Sequence, residues 1–325
     1  MTMNRRQLLA AAAAGLTLPW SASGHAQGWP ARPIRMVSPY GAGGSNDILT
    51  RVLGDFLSRG LGQSIVVENK SGAGTRIANE YVAKAPPDGY TLLHAAAPIA
   101  IGEALYKDLP YDVHKSFTSI ASTAIAPLFL VVNAEAPYKS LAEFIKYAKA
   151  DPKGVTFGSP GAGSAPHLTA ELLLRSAGVK GIVVQYRGDA PAYTELLAGR
   201  IDATLTAIST AVPHIQAGKL RVLGVATEER TPLYPQAPTL REQGLPSVVG
   251  YGWYGMLAPA GTPASIVERL NAGINAAVGD VEVRRKAEAV GLQLRGGTAA
   301  EFSAFIASET RKWAQIIKSA NITVE

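Results

Sequence analysis

From Arg32 onward, short apolar runs alternate with amphipathic stretches, and this alternation leaves few folds open to the chain. Strands separated by helical patterns imply parallel sheets with helix-covered faces. Residues 34–37, 65–67 and 90–93 read as strands, and 47–61 and 76–84 as helices. Within the first helix Ile48, Val52, Phe56 and Leu57 recur at helical spacing and form its expected buried face. A second series repeats the alternation: helix 141–150, strand 155–157, helix 167–177, strand 181–186, helix 193–198, strand 202–208, helix 212–217 and extended chain 221–226. The proline-rich stretch 232–246 leads to a long aromatic and apolar strand, 248–258, and the end is helical over 265–278, 282–290 and 301–319. Pro127 interrupts the apolar block 125–132 and predicts a strand and a crossing there. Two α/β units with crossings near 120–135 and 248–258 describe two lobes joined by a two-segment hinge. A cleft between such lobes is the default ligand site.

Composition removes several function classes. With 47% hydrophobic residues in 325, the chain has material for a core and is not a disordered polymer. It has no cysteine, which excludes a disulfide scaffold, a thiol nucleophile and a cysteine-based metal site. The net charge of +6 is spread thinly, and no nucleic-acid partner is expected. At the N-terminus Arg5 and Arg6 precede the run Leu8 to Trp20, apolar apart from Thr17, followed by small residues at Gly24 and Ala26. That run is shorter than the roughly 17–25 residues of a bilayer span. Residues 1–26 are therefore expected to be a signal peptide, cleaved near Ala26, for export to the periplasm. The arginine pair also resembles the twin-arginine signal, so both export routes stay open.

The loops after the strands carry the candidate chemistry. Pro39-Tyr-Gly-Ala-Gly-Gly-Ser-Asn-Asp47 follows a strand and opens a helix, with Ser45 expected at the N-cap. A helix start of this kind presents unpaired N–H groups and the positive end of the helix dipole to an anion. A dinucleotide loop would need a third glycine where Asn46 stands, and there is no phosphate-binding Gly-Lys-Ser/Thr pattern. Gly158-Ser-Pro-Gly-Ala-Gly-Ser-Ala-Pro-His167 is a second loop of this type, Tyr186-Arg-Gly-Asp-Ala-Pro191 a third, and Ala95-Ala-Ala-Pro98 a fourth. Their recurrence at strand ends in both units points to one anion-lined cleft. A serine hydrolase would need a G-x-S-x-G elbow, which Phe157-Gly-Ser-Pro-Gly161 misses by one position. His94, His114, His167 and His214 show no metal-ligand spacing; His167 is expected in a helix's first turn, bonding backbone or ligand.

The ordered set Pro39 to Arg51, Val67-Glu-Asn-Lys-Ser-Gly-Ala-Gly74, Pro87-Asp-Gly-Tyr-Thr-Leu-Leu93, Tyr186-Arg-Gly188 and Pro259-Ala-Gly-Thr-Pro263 resembles the Bug family across essentially the whole mature chain. These are the TctC-type extracytoplasmic solute receptors of tripartite tricarboxylate transporters. The resemblance implies an α/β type II periplasmic-binding-protein fold that closes on a small mono-, di- or tricarboxylate. It implies contacts at Tyr40, Gly43, Gly44, Ser45, Asn46 and Ala96 from one lobe. From the other lobe it implies Ser159, Gly163, Ser164, Tyr186, Arg187 and Gly188. Asn46 stands where threonine is common and Arg187 where lysine is usual, so the ligand is not inherited from the family.

The expected organisation is a signal peptide over 1–26, a first lobe over 27–125 and 250–325, and a second over 126–249. The expected function is a monomeric periplasmic receptor with no catalytic residue, cofactor or metal, serving a tripartite tricarboxylate transporter. Two rivals are an exported serine hydrolase built on Ser159, Ser164 and His167, and a sensory binding protein of the same fold.

Overall fold

The computed structural model describes residues 28–106, 108–161, 163–186, 189–320 and 322. The expected signal peptide and its cleavage site at Ala26 lie outside the described residues, as do Arg187 and Gly188.

The first unit opens with β1 (Ile34–Ser38), α1 (Ser45–Leu61), β2 (Ile65–Asn69), a 3-10 turn at Ala73–Thr75, α2 (Arg76–Ala83) and β3 (Thr91–Ala96). β1 lies between β2 and β3, parallel to both, with Ile34 beside Ile65 and Met36 beside Leu92. Parallel strands of this kind bury both faces, so β3 reads almost wholly apolar. The α1 face that packs inward carries Leu49, Leu53 and Leu57. Ile48, Val52 and Phe56, the face expected from the sequence, are only half-buried, since Leu49 and Leu53 complete a better stripe one residue on. α3 (Pro98–Leu105) had no counterpart among the expected elements. Four of its residues are buried around the helix, so it carries no amphipathic period to read.

β4 (Phe117–Asn133) is one strand of 17 residues, where a break at Pro127 was expected. Its first part pairs antiparallel with β9 (Tyr251–Pro259), ending at Pro127 opposite Tyr251. The following residue, Leu128, already pairs with Ala207 of β7 (Ala203–Ala207). Proline's missing donor thus falls where the strand exchanges partners, so no sheet hydrogen bond is forfeited there.

Beyond that point come α4 (Leu141–Ala150), β5 (Val155–Ser159), α5 (Ala165–Ala177), β6 (Gly181–Gln185), α6 (Asp189–Leu197), α7 (Ile208–Gln216) and β8 (Leu220–Val225). β6, β5 and β7 run parallel, and β8 flanks the far half of β4. The chain returns through Gly250, whose N–H donates to Ala226 O at 2.9 Å, into β9 between β3 and β4. α8 (Ala264–Gly279), α9 (Val281–Glu288), the two-residue β10 (Gln293–Leu294) and α10 (Ala299–Ala320) complete the first unit. Phe302, Ile306 and Trp313 of α10 seal its core, and the Trp313 indole N–H donates to Glu309 Oε2 at 2.9 Å. Leu168 of α5 joins that same cluster.

Candidate functional site

The parallel strands β1, β3 and β5 end in loops on one side, and these loops wall a cavity of about 620 Å³. Tyr40, Gly44, Ser45 and Asn46 line it after β1, and Ala96, Ala97 and Pro98 line it after β3. Pro160, Ser164, Ala165 and Pro166 face them after β5, with Leu128 and Ala207 beneath. Ligands of open α/β sheets gather at this edge because the helix N-termini point there.

The first loop is held by Asp47. Gly43 adopts φ +87°, which glycine reaches without strain, and its N–H donates to Asp47 Oδ2 at 2.9 Å. Asn69 Nδ2 donates to Asp47 Oδ1 at 2.8 Å and to the Tyr40 carbonyl at 2.9 Å, and Arg51 pairs with the same carboxylate. Burial alone would raise the Asp47 pKa, but the bonds from Arg51, Gly43 and Asn69 outweigh it and hold the carboxyl below its ordinary value. Asp47 thus supports the loop from behind and does not line the cavity.

Gly44, not Ser45, is the N-cap residue of α1, with φ −76° and ψ 164°. Ser45 is already helical, and its hydroxyl lies 3.2 Å from Tyr254 Oη instead of closing back on the helix. Of Gly44, Ser45 and Asn46, the last two have N–H groups with no partner among the described residues, whereas the Gly44 N–H closes a turn toward the residue 41 carbonyl. The first N–H groups of a helix project from its N-terminus, here toward the cavity these three residues line. The Asn46 side chain is committed below: its Oδ1 accepts from Ser38 Oγ at 2.8 Å and its Nδ2 donates to the His94 carbonyl at 3.4 Å. Asn46 therefore offers its backbone rather than its amide group.

Beneath Asn46 a neutral His94 fills a wholly buried position in mid-strand. Its Nδ1 lies 2.6 Å from Thr50 Oγ1 and its Nε2 2.8 Å from Thr123 Oγ1. Desolvation by burial pushes its pKa down to about 3. The Tyr40 phenol beside the cavity is held protonated, mainly by burial and then by the nearby Tyr254.

The second loop repeats the device of the first. Gly163, at φ +71°, donates its N–H to His167 Nδ1 at 2.9 Å, four residues ahead as in Gly43 and Asp47. Burial lowers the His167 pKa and keeps the ring an acceptor. Ser164 caps α5, donating to the Gly161 carbonyl at 2.7 Å and accepting the His167 backbone N–H at 3.4 Å. Ser159 is fully buried, its hydroxyl 3.2 Å from that of Ser164. Neither serine bonds a histidine ring among the described residues, so the Ser–His pair of a hydrolase is not assembled there.

Six of the twelve sequence-selected residues therefore line the cavity: Tyr40, Gly44, Ser45, Asn46, Ala96 and Ser164. Gly43, Ser159 and Gly163 lie in the loop frameworks behind it. Tyr186 stands outside it, its N–H donating to the Ser159 carbonyl at 2.8 Å. Gly252, Trp253, Tyr254 and Ala126 line the cavity without any local signal; antiparallel pairing of β9 and β4 brings them there. No charged side chain lines the cavity among the described residues, and none of their His, Asp and Glu groups could hold a metal ion.

Residues 49–322 match the family described as "Tripartite tricarboxylate transporter family receptor". The chain is similar to the protein BugT of Bordetella pertussis, at 36% identity over 323 residues, covering 97% of this chain and 98% of that one. Two solved structures share its fold. The periplasmic binding protein BugD superposes with a TM-score of 0.75 at 30% identity, covering 91% of this chain and 99% of its own. Rpa4515 of R. palustris, determined with adipate, gives 0.79 at 34% identity, again covering 91% and 99%. The expected periplasmic-binding-protein fold is met.

Proposed function

Because the chain belongs to the tripartite tricarboxylate transporter receptor family, we propose that it captures a small carboxylate in its cleft and presents it to a membrane transporter of that type. The observation that carries the reading is the pair of unpartnered amides at Ser45 and Asn46, opening into a cavity lined by the loops after β1, β3 and β5. Preorganised N–H groups at a helix start can hold a carboxylate, and the described lining of the cavity is uncharged. Adipate bound to a relative of 34% identity supports the same ligand chemistry.

In this reading residues 27–125 and 250–325 form one lobe and 126–249 the other; the partner exchange of β4 after Pro127 supports that division. Tyr40, Gly44, Ser45, Asn46, Ala96 and Ser164 touch the ligand, while Gly43, Ser159, Gly163 and Tyr186 hold the loops that present them. The protein acts as a monomer, without cofactor and without chemistry of its own. The occupied Nδ1 of His167 argues against the hydrolase alternative. Export to the periplasm places the mature N-terminus at or near Gln27, which intact-mass measurement of the native protein reads directly.

A thermal-shift and calorimetric screen of the mature protein against short carboxylates, run beside an ester-hydrolysis assay, tests the function. Saturable binding near one ligand per chain, with no turnover, is expected. At a hundred times its Kd such a ligand adds about 2.7 kcal/mol of stability. Ester turnover abolished by Ser164→Ala, with no saturable carboxylate binding, would sink it.

A further inference from the structure

We infer that His94 is a positioning residue of the cleft: its ring, protonated on Nδ1, holds the first turn of α1 through Thr50 and so presents the Asn46 amide to the ligand. The inference rests on the receptor reading above and names residues that act from behind its contacts.

Hydrogen-bond polarity fixes the tautomer. The Thr50 hydroxyl has a single proton, and it goes to the Asn46 carbonyl, which can only accept, at 2.6 Å. The 2.6 Å contact between Thr50 Oγ1 and His94 Nδ1 must therefore take its proton from the ring. A neutral imidazole carries one N–H, so Nε2 is an acceptor and receives the Thr123 hydroxyl at 2.8 Å. The Asn46 Nδ2, 3.4 Å from Nδ1, donates to the His94 carbonyl instead.

The same ring ties together the elements that wall the first side of the cleft. His94 sits in β3, Thr123 in β4, and Asn46 and Thr50 in α1, while the Tyr254 ring of β9 lies against the imidazole with centroids 5.8 Å apart. The Ser38 hydroxyl completes the circuit, accepting the Tyr40 N–H at 3.4 Å and donating to Asn46 Oδ1 at 2.8 Å. Asn46 is thus gripped at its carbonyl and at both ends of its side-chain amide, and its backbone N–H stays open among the described residues. Ser38, Asn46, Thr50, His94 and Thr123 are all buried, and a buried network with matched donors and acceptors is rigid. With the proton on Nε2, Nδ1 would instead draw the proton of Thr50 or of the Asn46 amide group. Either exchange releases one of the grips on Asn46.

Two measurements test this. In mature protein labelled with nitrogen-15 histidine, the His94 signals, assigned with a His94→Asn variant, should show a protonated Nδ1 and a bare Nε2 at neutral pH. A protonated Nε2 would overturn the inference. Isothermal titration with adipate, hexanoate and benzoate then compares Thr50→Ser, which keeps the hydroxyl, with Thr50→Val, which keeps the shape. If the presenting arrangement falls to about a tenth of the population, affinity falls about tenfold. That loss is expected for Thr50→Val, and for His94→Gln, whose amide replaces Nε2 but not Nδ1. Thr50→Ser, and His94→Asn, whose amide nitrogen takes the place of Nδ1, should stay within about threefold of wild type. A folded Thr50→Val protein that binds like wild type, or an equal loss in all four variants, would overturn the positioning role and leave the carboxylate reading standing. No binding of any of the three acids by wild type would overturn the carboxylate reading and this role with it.

Discussion

Gly44→Asp should stabilise the fold and abolish binding. At this N-cap the backbone is extended, with φ −76°, and an added Cβ would meet only the Gly41 carbonyl, at 3.9 Å. The substitution is therefore tolerated sterically. Aspartate caps helices slightly better than glycine, by a few tenths of a kcal/mol, and its charge at a helix start adds about 0.3–1 kcal/mol. The expected shift in Tm is upward, by roughly one to three degrees for a chain of this size. Binding moves the other way, since the new carboxylate occupies the place proposed for the ligand's. Two like charges about 4 Å apart repel by about 4 kcal/mol at an effective dielectric constant near 20. That corresponds to roughly a thousandfold loss of affinity. Gly44→Asn has nearly the same shape without the charge and should stay within about tenfold of wild type. Thermal unfolding and isothermal titration of the three proteins read both effects. If the Asp and Asn variants bind alike, charge at this helix start does not govern the ligand and the argument fails.

The other expectations concern the supports of the site. Asp47→Asn puts an amide N–H toward Arg51 and should cost about 1–3 kcal/mol at pH 7. Because the Asp47 pKa is lowered on folding, its contribution is present above pH about 4 and is lost as pH falls through the lower folded value, so the gap from wild type should narrow by pH 3 in urea titrations. His94 titrates near 6.5 unfolded and only near 3 folded, so wild-type stability should be full above pH 6.5 and fall by up to about 1.4 kcal/mol per unit below it. His94→Gln should flatten that slope; an unchanged slope would show that His94 is not its source. Gly250→Ala would set a Cβ 2.0 Å from Thr169 Oγ1, just before the chain enters β9. It should cost about 1–3 kcal/mol, with partial recovery in combination with Thr169→Ala measured as a double-mutant cycle.

The alternation of short apolar runs and amphipathic stretches made the α/β class legible, and the glycine-rich loops pointed to the right side of the sheets. What stayed hidden was non-local or degenerate. In α1, two apolar stripes compete, and only tertiary packing chooses Leu49 and Leu53 over Ile48 and Val52. Either Gly44 or Ser45 could cap that helix, and the Tyr254 hydroxyl, 209 positions away, gives Ser45 another partner. Tyr254 and Trp253 reach the cavity through strand pairing, which leaves no trace in their neighbouring residues. One signal was present and unread. A glycine followed four residues later by an acceptor side chain occurs as Gly43 and Asp47, and again as Gly163 and His167. That spacing assigns those glycine amides to the loop frame and leaves the next residues to meet the ligand.

The central claim is that backbone amides of the first loop hold the ligand's carboxylate. A crystal structure of the mature protein with a carboxylate identified by titration tests it most directly. The account predicts carboxylate oxygens at about 2.7–3.2 Å from the N atoms of Ser45 and Asn46. A carboxylate seated instead at Ser164 and Ala165, with the Ser45 and Asn46 amides bonded to nothing of the ligand, would contradict it.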